Sequence, residues 1–140
     1  MVDPEVVKSK LIKLEEYIQE LKEYNDIELT DYKNDKIKKR YLERTLQLAL
    51  ESILDIGNHI ISDERLGSPN NNADIIKILT EHKIFDVSEE KKEQYIRMAK
   101  FRNILGHDYA EIEDEIIVNI LNNHLEDFKT IFNFYRDYIG

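Results

Sequence analysis

Apolar residues recur along much of this chain at alternating intervals of four and three, the rhythm that lines up one face of an α-helix. Val7, Leu11, Leu14, Ile18 and Leu21 form the first such stripe. Asp3 before Pro4 predicts its start, an N-cap followed by proline at the first helical position. Asn25 to Tyr32 is polar and is expected to be a connection. A long second helix, about Asn34 to Ile61, carries Leu42, Leu46, Ala49, Ile53, Ile56 and Ile60 on one side.

The stretch Leu66-Gly-Ser-Pro-Asn-Asn-Asn72 is the strongest break. It separates two helical halves but not two domains, because neither half could bury its stripe alone. A short helix is expected from about Ala73 to His82. Ser88, with Glu89 and Glu90 after it, predicts the next start, and Gly106 is a natural end for that helix. The last helix, about Asp114 to Tyr138, aligns Ile117, Leu121, His124, Phe128, Ile131, Tyr135 and Tyr138. The expectation is an all-α antiparallel bundle of four to five helices in one domain, residues 1–140.

Composition agrees with helices. The chain has 4 Gly and 2 Pro, 35% charged and 41% hydrophobic residues, and no cysteine, so disulfides and thiolate chemistry are excluded. The N-terminal segment has no apolar core of the signal-peptide kind, and no run is long enough to span a membrane. A cytoplasmic protein is expected. The net charge of −9 counts against nucleic-acid binding unless the charge is segregated. Between Lys91 and Arg102 five cations stand against one acid, Glu93, a local sum of +4. Lys36, Lys38, Lys39 and Arg40 form a second basic run.

The candidate chemistry lies in Arg102-Asn103-Ile104-Leu105-Gly106-His107-Asp108-Tyr109. Arginine binds oxyanions through its planar fork, and histidine exchanges a proton near neutral pH. Arg102 occupies a slot on the stripe Tyr95, Met98, Arg102, Leu105 where the pattern calls for an apolar residue. Either it pairs with a carboxylate of a neighbouring helix, such as Glu51 or Asp55, or it faces a cleft or subunit interface and meets a phosphate. His107 lies five positions on, about 140° round an uninterrupted helix, so it reaches Arg102 only if the helix ends at Gly106. Glu51, Asp55 and His59 can share a face, but an ion-pair stripe is favoured over a metal site. His124 is read as a core or interface residue. No phosphate loop or metalloprotease motif is present.

The octapeptide RNILGHDY resembles the R-x4-6-H-x-Y motif of HepT-like toxins in the HEPN superfamily, including a polar residue, Asn103, directly after the arginine. The long helix YLERTLQLALESILDIGNHII, the Gly-Ser-Pro-Asn break and the approach MAKFRN resemble that family too. Gly106 departs from it, standing where an aliphatic residue such as valine is expected. The resemblance implies a homodimeric HEPN-like bundle with the two motifs meeting across a cleft. It implies a metal-independent ribonuclease without cofactor, the toxin of a type II (type VII-like) toxin–antitoxin pair. Its partner would be an MntA-like minimal nucleotidyltransferase that moves AMP from ATP onto the motif tyrosine. Arg102 and His107 would then be catalytic, Asn103 supporting and Tyr109 the modified residue. The alternative is a catalytically inactive helical module that only binds such a partner.

Overall fold

The computed structural model describes residues 4–105 and 110–140, and these form seven α-helices without a strand. They are α1 (Pro4–Lys22), α2 (Leu29–Asn34), α3 (Lys36–Asp63), α4 (Asn72–Glu81), α5 (Glu89–Phe101), α6 (Ala110–Asn123) and α7 (Leu125–Ile139). Polar caps set several of the starts. Asp35, Asn71 and Ser88 accept from the backbone N–H groups of Lys38, Asp74 and Lys91 at 3.0, 2.9 and 3.2 Å.

The long α3 is the spine of the bundle. Its stripe from Leu42 to Ile60 is buried, and it packs against α1, α2, α4, α5 and α7. The stripe of α1 is buried as well, against α3 and α7. Gly57, in the C-terminal third of α3, lies at a close approach of three helices. A methyl group there would stand 2.8 Å from Leu79 Cδ1 of α4, 2.9 Å from Ile75 Cγ2 of α4 and 2.8 Å from the Tyr135 hydroxyl of α7. That hydroxyl donates to the Ile53 carbonyl at 2.7 Å, so a fully buried phenol is satisfied by the spine it packs against. Burial drives its acidity well below that of an ordinary phenol. Phe85 packs against Tyr135 and edge-on against Tyr95, with centroids 5.2 and 5.9 Å apart.

Two expectations change. α2 begins inside the segment read as a polar connection and runs past its end, and its Tyr32 is fully buried. Six residues are too few to show a period, and the burial of Tyr32 comes from packing on α3 and α6. The last helix is two helices. The backbone departs from helix at His124 (φ −127°, ψ 5°), which becomes the first flanking residue of α7. The apolar stripe runs on across this break, so the pattern alone cannot register it. With the short α2, this split gives seven helices among the described residues rather than four or five.

Candidate functional site

Arg102 lies where α5 ends. The helix closes at Phe101, earlier than the expected Gly106, and Arg102 is its C-terminal flanking residue. Beyond it the backbone tightens, with Ile104 N–H bonding to the Phe101 carbonyl at 2.9 Å. Three side chains fasten this turn. The Arg102 Nη2 group donates to Glu51 Oε1 of α3. The Asn103 side-chain carbonyl accepts from Asn72 Nδ2, at the start of α4, at 3.1 Å. Leu105 is buried in the core. A straight continuation of α5 is given up for anchors on two neighbouring helices.

Of the two carboxylates offered by the sequence, Glu51 takes the arginine, while Asp55 lies 3.6 Å from Lys10 of α1. The Arg102 side chain nevertheless keeps 24% of its surface in solvent. It borders an open cavity of about 210 Å³ together with Glu51, Leu54, Asp55, Asn72 and Asn103. The guanidinium has five N–H donors, and one bond to Glu51 leaves others available. A partly exposed pair of this kind is worth no more than about 1 kcal/mol, so an incoming phosphate can compete for the arginine. The structure therefore joins the two readings of Arg102: it is paired, and it faces a cleft.

Gly106, His107, Asp108 and Tyr109 lie outside the described residues, so the convergence of His107 on Arg102 and the setting of Tyr109 are not among the observed geometry. The chain on their C-terminal side is well tied. Lys39 of α3 meets Asp114 near the start of α6 at 3.0 Å, and Asp114 is buried. Glu43, Glu113 and the Tyr32 phenol share this region. Burial first, then Glu113 and Asp114, holds the Glu43 carboxyl above the usual carboxylate range, against the opposing pull of Lys39.

The basic run beside the motif is less positive than its sequence suggests. Lys91 reaches Asp127 of α7 at 2.7 Å, Lys92 lies 3.9 Å from Glu89, and Arg102 is held by Glu51. Arg97 and Lys100 have no ion pair among the described residues. His124 is neither a core residue nor a helical one. Its Nδ1 lies 3.3 Å from the buried Asp127 carboxylate, and its ring borders a groove between α5 and α6. No group of three possible metal ligands occurs among the described residues, and no described helix is long and apolar enough to cross a membrane. Asn72, Asp127 and Gly57 were not singled out by the sequence reading. A glycine inside a long amphipathic helix was the available signal for Gly57.

Comparison with known proteins gives this geometry a setting. The family described as Ribonuclease HepT-like matches residues 14–133. The mRNA nuclease HepT of Shewanella oneidensis is 33% identical over 84 residues, which cover 60% of this chain and 62% of that protein, less than two thirds of its length. The tRNA nuclease HepT of Aphanizomenon flos-aquae is 25% identical over 127 residues, 91% of this chain and 85% of that one. Among solved structures, a tri-AMPylated Shewanella oneidensis HEPN toxin in complex with MNT antitoxin superposes with a TM-score of 0.81 at 26% identity, covering 98% of this chain and 99% of that one. A toxin–antitoxin structure with AMP-PNP gives 0.82 at 25% identity, covering 95% and 98%.

Proposed function

With residues 14–133 matched, the chain belongs to the HepT-like ribonuclease family, and on that premise we propose that it is the RNA-cleaving toxin of a toxin–antitoxin pair. Both named relatives are RNA nucleases, and the solved relatives include a HEPN toxin bound to its MNT antitoxin. The observation that carries the reading to this chain is Arg102, anchored by Glu51 yet open to a cavity, five residues before His107.

In the proposed reaction the RNA 2′-oxygen attacks the adjacent phosphorus while its proton passes to a base. The bond from phosphorus to the 5′-oxygen breaks, and that oxygen takes a proton from an acid. The products are a 2′,3′-cyclic phosphate and a free 5′-hydroxyl. Arg102 stabilises charge on the non-bridging oxygens, with Asn103 fixing its turn, and no metal is required. His107 moves a proton at one of the two oxygens. One imidazole cannot serve both oxygens at once, whereas two motifs facing each other in a homodimer divide the work. The reaction takes place in the cytoplasm.

An MntA-like nucleotidyltransferase partner would silence the site by moving AMP from ATP onto Tyr109, with pyrophosphate leaving. The tri-AMPylated state of the Shewanella relative supports this. The added phosphodiester would bring negative charge and bulk to the motif that carries Arg102. The Arg102–Glu51 pair also favours a second reading, an inactive module in which the arginine is structural.

His107→Ala separates the two readings. Cleavage of single-stranded RNA should fall by about 10²–10⁴-fold, with the helical spectrum and assembly mass unchanged. Wild-type protein that cleaves no RNA, yet accepts AMP from its partner, would select the inactive module.

A further inference from the structure

A second cleft opens beside the motif turn, between α5 and α6, with a volume of about 370 Å³. Met98, Phe101 and Ile104 form its floor on one side, Ile116 and Ile120 on the other. Ile104 belongs to the turn that carries Arg102 and is 38% exposed. Arg97 and Lys100 stand on the rim, both exposed, and they are the two cations of the basic run left without an ion pair among the described residues. No carboxylate occurs among the described lining residues, in a protein whose net charge is −9.

The remaining polar lining is turned toward donation. The Gln94 side-chain oxygen already accepts from Lys91 at 3.2 Å, and the Asn119 oxygen accepts from Asn123 at 2.7 Å. Each amide nitrogen is a donor that those bonds do not use. His124 closes one end. Asp127 takes its Nδ1 at 3.3 Å while its other oxygen holds Lys91 at 2.7 Å. That leaves Nε2 as the ring's free polar edge.

We propose that this groove is a nucleotide subsite for single-stranded RNA, lying next to the point of cleavage. An unstacked base rests on the apolar floor, the flanking phosphates meet Arg97 and Lys100, and the amides and His124 address oxygens of base or ribose. Apolar floors with cationic rims suit single strands, because every base has a flat face and every linkage a charge. A second copy of the chain fits less well. A two-fold contact centred on the groove would set Arg97 and Lys100 of one copy against the same cations of the other. The inference rests on the ribonuclease reading above and adds to it where the substrate is gripped.

The test uses the full chain, a 2′-O-methyl RNA oligonucleotide that cannot be cleaved, and the same strand with one abasic position. Anisotropy is measured over a salt series, with sedimentation in parallel. In Arg97→Ala/Lys100→Ala, binding should weaken by at least about tenfold and the salt slope should fall by about 1.4, the contribution of two phosphate contacts on a single strand. Wild-type protein should prefer the intact strand to the abasic one, and His124→Ala should narrow that preference. Unchanged affinity in the double variant, while wild-type protein still binds and cleaves RNA, would overturn the subsite and leave the nuclease reading standing. Wild-type protein that neither bound nor cleaved RNA would remove both. Binding lost only in step with a fall in assembly mass would assign the groove to a subunit contact instead.

Discussion

Around Gly57 three helices close to within a methyl group of one another, and a buried hydroxyl is matched to a backbone carbonyl. Around Arg102 the same spine, roughly a turn and a half earlier, presents Glu51 to a partly solvated cation beside an open cavity. The first region is tight and dry; the second is tethered but roomy. A guanidinium can be kept ready for a phosphate only where water still reaches it, since full burial would make its ion pair with Glu51 hard to exchange. Rigidity is therefore supplied from nearby, by packing on the same helix, and the arginine is left accessible.

That contrast can be broken from either side. Arg102→Ala should cost the most in activity, about 10²–10³-fold in cleavage rate, by analogy with removal of one charge-stabilising donor. Its stability should fall by no more than about 1 kcal/mol, because only a partly exposed pair is lost. Denaturant melts and cleavage assays on one preparation check both halves; a large loss of stability would recast the arginine as structural. Gly57→Ala should do the reverse. Overpacking at three helices is expected to destabilise by about 1–3 kcal/mol, while activity per folded molecule stays near that of the wild type.

A smaller effect sharpens the electrostatic side. Glu43 holds its proton more firmly in the folded protein than in the unfolded chain, through burial and the nearby Glu113 and Asp114. Between the unfolded and folded values, stability falls as pH rises, and above both the penalty is complete. Glu43→Gln should therefore melt at a higher temperature than wild type at pH 7. It should also flatten the dependence just above the ordinary carboxylate range. An unchanged pH profile would show that Glu43 is well solvated.

What could be read from the sequence was what the helix repeat itself imposes. The stripe from Leu42 to Ile60 is buried as the 4-3 rhythm requires, and the cap at Ser88 lies just ahead of a helix. What depends on distant neighbours was not legible. Tyr32 is buried only because α3 and α6 pack on a helix too short to show a period. Lys91 finds only the neutral Gln94 within its own segment, yet the buried Asp127 holds it from 36 positions away. The early end of α5 likewise depends on Glu51 and Asn72, 51 and 31 positions from the residues they hold. For the site, the arginine and its carboxylate were both identifiable, and the choice between Glu51 and Asp55 needed the fold.

Lys39 is a keystone rather than one more surface lysine. Its ammonium group meets Asp114, in a region that also gathers Glu43 and Glu113, on the segment that leads out of the motif. Acylation of that amine would erase the positive member and leave like charges crowded in a poorly hydrated corner. Damage there would loosen the tie between α3 and the start of α6, the helix that follows the motif in sequence.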